Sequence, residues 1–298
     1  MKLASYKARL IMLMGAIVIT ATLGGCGQNE SHKGIDDTQD IEPQVSVQLW
    51  SVKDEVKRDF EGTLTVLADM GFDGVEFAGD FGDYQQRPKE LREFLDGLGL
   101  KVSGAHLPFD KLDDAHFYET VAFYQAIGCD TLIVPYDARA FDSQQVKNVV
   151  ADLNRLAAKL APKGLKIGYH NHEKEFDQYQ QSTYWDYIAS NTDENVVLQQ
   201  DVGWTTYAGK DPVEYVQRYP GRTLTTHYKV KLPDDVQGKL PLIGQDTIDW
   251  SSLIEANMTV GGTQWLVVEQ EEYPNNLKPL EAVKLSKQGL ETYLDARE

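Results

Sequence analysis

Cysteine is nearly missing from this 298-residue sequence, with Cys26 and Cys129 as the whole complement. Two cysteines exclude a disulfide-built scaffold and a thiolate metal cluster, so the fold must rest on buried apolar surface. Basic residues are also scarce, 29 Lys and Arg against 46 Asp and Glu, for a formal net charge of −17. Such a surface repels nucleic acid, and it favours a neutral or cationic ligand or a bound metal ion over a sugar phosphate. The apolar run from Leu10 to Leu23 falls short of the roughly 20 residues that a membrane-spanning helix requires.

That run follows Lys2, Lys7 and Arg9, which is the pattern of a secretory signal over residues 1–25. It ends in "LGGC" (23–26), which resembles the lipobox of bacterial lipoproteins. The resemblance implies lipidation at Cys26 and a place in the bacterial cell envelope, facing the periplasm or the cell surface, with the membrane engaged only through the lipid. Cys129 then has no disulfide partner. Residues 26–43 are polar and aperiodic, His32 included, and read as a flexible tether. The roughly 255 residues of 44–298 are close to the ~250 of a (β/α)₈ barrel and are read as one domain.

Short β-branched or apolar runs recur about every thirty residues: "VSVQLW" (45–50), "DGVEFA" (73–78), "KVSGAH" (101–106), "TLIVPY" (131–136), "LKIGYH" (165–170), "VVLQQDV" (196–202), "TLTTHYKV" (223–230) and "WLVVEQE" (265–271). Segments of helical spacing separate them, such as Phe60, Leu64, Leu67 and Ala68, or Val149, Leu153, Leu156 and Leu160, or Leu280, Val283, Leu290 and Leu294. Turns such as "MGFDGVEF", "GLGLKVSG", "IGCDTLIV" and "PKGLKIGY" place a glycine where a helix ends and the next strand begins. Eight strand–helix units predict a parallel sheet closed into a TIM barrel. An open dinucleotide-binding sheet is disfavoured, because "LWSVKDEV" and not a G-x-G-x-x-G turn follows the first strand.

In such a barrel the chemistry sits at the carboxyl ends of the strands. The polar residues expected there are Gln48, Glu76, His106, His170, His172, Asp201, His227, Lys229 and Glu269. Imidazoles and carboxylates converging from several strands predict one divalent ion, Mn, Mg, Co or Zn. Trp50, Trp204, Tyr228 and Tyr273 are expected near the same rim, where their flat faces could stack on a sugar ring.

With these residues in view, the chain from about Val45 resembles the xylose isomerase-like barrels, a family of sugar phosphate isomerases and epimerases that also includes inosose dehydratases and family 2 apurinic endonucleases. The resemblance implies metal ligands at Asp201 in "QQDVGW", His227 in "LTTHYKV" and Glu269 in "LVVEQEE". Many relatives read Glu-Asn-His after strand 5 where this chain reads His170-Asn171-His172, so His170 is expected to take the glutamate's place near the metal. "YHNHEKEF" looks like a subgroup signature. The likeness further implies catalytic roles for His170, Glu269, His172 and Lys229, and substrate contacts from His106, Glu76 and Gln48, joined by Trp50 and Trp204.

The expected activity is a metal-dependent isomerisation or epimerisation of a non-phosphorylated sugar or keto-sugar through an enediolate. Replacement of one of the two epimerase glutamates by His170 makes a keto-sugar dehydratase or keto-glycoside lyase the rival, acting by β-elimination. A carbohydrate-binding lipoprotein without turnover is the third reading. A nuclease is disfavoured by the acidic surface, by the expected export and by too few rim histidines for a three-metal cluster. The partner is a small carbohydrate, and a homodimer is left open.

Overall fold

The computed structural model describes residues 43–297. The expected signal peptide, Cys26 and the tether, with His32, lie outside the described residues. Among the described residues eight parallel strands close into a barrel: β1 (Gln44–Gln48), β2 (Gly74–Phe77), β3 (Lys101–His106), β4 (Thr131–Val134), β5 (Lys166–His170), β6 (Val197–Asp201), β7 (Thr225–Tyr228) and β8 (Trp265–Val268). Each pairs with its neighbours in order and β8 returns to β1, Gln44 opposite Trp265. All eight apolar runs of the sequence are strands, though most are shorter than the run that announced them. A two-residue hairpin, Gln178–Tyr179 with Ser182–Thr183, is added between β5 and β6.

Strand alternation divides the residues between two interiors. Outward side chains such as Val47, Phe77, Leu132, Leu198 and Val268 are buried against the helices. The facing helical residues include Leu64 and Leu67 of the helix Phe60–Asp69, and Leu153 and Leu156 of Val146–Leu160. Inward positions carry the polar residues, so the barrel's lumen is hydrophilic near its carboxyl end. Gly104 sits opposite Glu76 in the β2–β3 register, and a Cβ there would stand 2.9 Å from Glu76 Oε1. The missing side chain is what gives the Glu76 carboxylate its space. Gly71, Gly99, Gly128 and Gly164 all have positive φ, as the four turn sequences predicted. At Gly99, φ 74° directly after the helix Pro88–Leu98 is a left-handed cap that costs glycine no Cβ clash.

Away from the rim, Asp186 opens the helix Tyr184–Asn191 in a capping box with Thr183. Burial pushes its carboxyl up, but hydrogen bonds from Ser182, Tyr219, Thr183 and Arg218 outweigh that and bring it to about 2. A carboxylate held below its unfolded value stabilises the fold fully above that value, and the contribution drains away as pH falls toward 2. Asp186→Asn is therefore expected to lower stability by roughly 1–2 kcal/mol at pH 7 and by about half as much at pH 3. Urea unfolding midpoints at the two pH values check this, and an equal loss at both would remove the carboxylate charge from the account.

Candidate active site

The cluster is built on inward positions two residues apart. β5 turns His170 into the barrel and Tyr169 out against Trp185; β7 turns in His227 and sends Tyr228 out to stack on Trp250. Lys229 and His172 continue the inward sets just beyond their strands. His170, Asp201, His227 and Glu269 each offer one donor atom, and all four atoms lie within 4.8 Å of one another. The same geometry also groups His106, His170 and His227.

Gln199, which the sequence reading missed, organises the imidazoles. Its Nε2 donates to Glu76 Oε1 at 2.7 Å, which turns its Oε1 toward His106 Nε2 at 2.6 Å and His170 Nδ1 at 3.1 Å. With Nδ1–H donated to Gln199, His170 keeps a lone pair on Nε2, which faces Asp201 Oδ2 at 3.7 Å. Burial, with His227 and His172 adding to it, holds the His170 imidazole well below its ordinary value and so neutral. The signal for Gln199 was available: in "VLQQD" it lies two residues before Asp201, on the same face of the strand.

Glu76 is buried and accepts from Gln48 Nε2 at 2.7 Å and His227 Nε2 at 2.5 Å, with His106 Nε2 at 3.3 Å. Burial raises its carboxyl, but His106 and His227 outweigh this and hold it below the usual carboxylate range. His227 Nε2–H on Glu76 leaves Nδ1 on the Glu269 side, 2.9 Å from Glu269 Oε2. Burial lowers the His227 imidazole, yet Glu76 and Glu269 prevail and raise it to about 10. Gln48 and Glu76, expected to touch substrate, thus lie a layer beneath the cavity, where Glu76 holds the histidines and Gln48 holds Glu76.

Asp201 Oδ1 caps the helix Val202–Tyr207 through the Trp204 amide at 2.8 Å, while Oδ2 is buried with no hydrogen-bond partner. Burial pushes this carboxyl up to about 7 against the pull of Lys229. Lys229 Nζ lies 3.5 Å from Asp201 Oδ2 and 3.4 Å from Glu269 Oε2, and also pairs with Glu271. Burial opposes the lysine's charge, but these carboxylates outweigh it and hold the ammonium above its ordinary value. An orphaned carboxylate oxygen, a free imidazole nitrogen and a second His–Glu pair within 4.8 Å form a donor set that fits a divalent cation.

The "YHNHEKEF" segment supports this set from β5. Asn171 accepts from the Asp201 amide at 3.0 Å and donates to the Asp201 carbonyl at 3.3 Å, tying the ends of β5 and β6 together. Glu175 is buried and accepts from the Tyr169 hydroxyl at 2.8 Å and the His172 amide at 3.0 Å, which fixes the loop that presents His172. The His172 ring packs between Tyr136 and Trp204, its Nδ1 unpartnered, and burial with Lys229 nearby lowers it to about 4.

Above the cluster lies a cavity of about 840 Å³, reached by His106, His170, His172, Lys229, Glu269 and Glu271. Trp50 stands on its wall, 45% exposed, with Lys53 Nζ 3.7 Å from the ring centroid. Trp204 does not reach the cavity: carried on the helix that Asp201 caps, it lies under Lys229 and Lys231. Tyr228 points away from the rim because it alternates with His227, and Tyr273 donates its hydroxyl to the Ser51 carbonyl at 2.9 Å.

A model of the xylose isomerase-like TIM barrel matches residues 64–295. An inosose dehydratase of Clostridium botulinum (strain Alaska E43 / Type E3) is 26% identical over 260 residues, covering 74% of this chain and 85% of the relative. One of Lacticaseibacillus casei is 25% identical, covering 80% and 89%. Among solved structures, a sugar phosphate isomerase/epimerase from Parabacteroides distasonis ATCC 8503 superposes with a TM-score of 0.68 at 21% identity, covering 85% of this chain and 96% of that one.

Proposed function

Because the chain belongs to the xylose isomerase-like TIM-barrel family, we propose that it is a metal-dependent lyase that removes a β-leaving group from a non-phosphorylated keto-sugar or keto-polyol. The observation that carries this reading is His170 at the carboxyl end of β5, neutral and bonded to Gln199, where an epimerase of the expected kind would need a second carboxylate. Proton removal and return on opposite faces calls for two such bases, and elimination calls for one base and one acid. The inosose dehydratase relatives support elimination as well.

His170, Asp201, His227 and Glu269 would hold the ion. Its contribution when bound is Lewis-acid charge at a ketone oxygen, which makes the neighbouring C–H more acidic. His172, neutral and lining the cavity, takes that proton. Lys229, kept charged by its three carboxylates, donates to the departing oxygen. Glu175 and Asn171 hold the loop and strand end that bring the two groups to one substrate.

Incubation with inosose and with keto-glucosides in D₂O, followed by NMR, tests the reading. The expected products are a conjugated enone and the released water or alcohol, with His172→Ala slower by roughly 10²–10⁴-fold. A rearranged ketose or an epimer with nothing released would restore isomerisation, a reading favoured by the P. distasonis structure. No reaction with any ketone would leave a carbohydrate binder. The lipid anchor at Cys26 remains part of the proposal.

A further inference from the structure

The cavity is larger and less polar than its reacting end requires. About 840 Å³ is within the range that encloses a drug-sized molecule, roughly 300–1,000 Å³. Away from the cluster its wall is made mostly by Phe81, Leu107, Pro108, Phe123, Tyr124 and Pro135, with Gln85 and Thr120 as the polar exceptions. Phe81 meets Phe123 edge-on at 4.6 Å and Tyr124 at 6.0 Å, so the aromatic groups form one packed surface rather than scattered contacts. Lys111, His116 and Glu119 stand exposed around the outer lip.

A monosaccharide or cyclitol carries hydroxyls on nearly every carbon. Pressed against an aromatic and proline wall, several of them would lose water without gaining a partner, at a cost for each. A flat apolar ring has the opposite balance, since it gains from every area it covers. We infer that this arm of the cavity binds the apolar, ring-containing aglycone of a glycoside, placed so that the sugar reaches the His172 and Lys229 end.

The assignment rests on the lyase reading for its chemical consequence. In that reaction the carbon next to the ketone loses its proton, the C–O bond to the aglycone breaks as the C=C bond forms, and the aglycone leaves as a phenol or alcohol carrying a proton. The sugar remains as an enone with no net oxidation. A reaction that oxidises one hydroxyl of the intact glycoside must therefore supply the substrate.

Calorimetry with phenyl and methyl glucosides, both anomers, tests the site without turnover. Wild-type protein is expected to bind one phenyl glucoside at least tenfold tighter than its methyl counterpart. Phe123→Ala should erase that ratio, Phe123→Leu should keep most of it, and Asp201→Asn should leave it intact. Equal affinities, no measurable binding, or a ratio that survives Phe123→Ala would each overturn the inference. A failure of the lyase reading looks different: the phenyl preference is present, and the matching keto-glycoside yields no enone.

Discussion

Asp201→Asn is expected to lose the bound divalent ion and to lower kcat/KM for elimination by roughly 10³-fold, with little change in stability. The asparagine oxygen can keep the cap on the Trp204 amide that Asp201 Oδ1 now makes at 2.8 Å. What disappears is the charge and the orphaned Oδ2, whose burial raises the carboxyl to about 7. A carboxylate oxygen that is costly to bury and accepts no hydrogen bond, with only the Lys229 ammonium 3.5 Å away as counter-charge, is retained for something other than folding. Elemental mass spectrometry of protein purified without chelator reads the metal, and thermal melting reads the fold. If the variant kept a full complement of ion, the ligands would be the other grouping, His106 with His170 and His227.

Glu76→Ala should behave in the opposite way, costing roughly 3–5 kcal/mol of folding free energy. The carboxylate accepts from Gln48, Gln199 and His227 and lies beside His106, all inside the barrel. Its removal strands two amide donors and takes away one of the two anions that hold His227 near 10. Glu76→Gln keeps the volume but turns a donor toward donors, so it should recover only part of the loss. Urea unfolding of the two variants checks the order, and a loss under 1 kcal/mol for the alanine variant would mean that water satisfies the stranded groups.

These two residues also mark how far the sequence could be read. The barrel was legible because parallel strands buried on both faces leave continuous apolar runs, and because glycines such as Gly99 end helices at a backbone angle other residues avoid. His170, Asp201, His227 and Glu269 stood among nine polar residues at strand ends, and the family resemblance, not the strand pattern, singled them out as the set whose donor atoms lie within 4.8 Å of one another. Depth along the barrel was not legible. Glu76 and Gln48 end their strands like the others, yet both lie beneath the cavity, because the space for a carboxylate there depends on Gly104 across the sheet. Period-two alternation sends Tyr228 outward because His227 faces in, and brings Gln199 inward because Asp201 does, so a residue near a strand's end is on the rim only if its face agrees.

The strands that hold the cluster, β5 to β8, come from the second half of the chain. The cavity wall beyond it comes almost entirely from segments following β1 to β4, residues 50–136. Mutations in one half of the gene can thus alter what is admitted without disturbing the residues that react, and drift in the other half can alter reactivity under an unchanged entrance. Descendants of such a barrel can exchange their diet and keep their chemistry, and a recombination event between codons 136 and 166 would be enough to do it in one step.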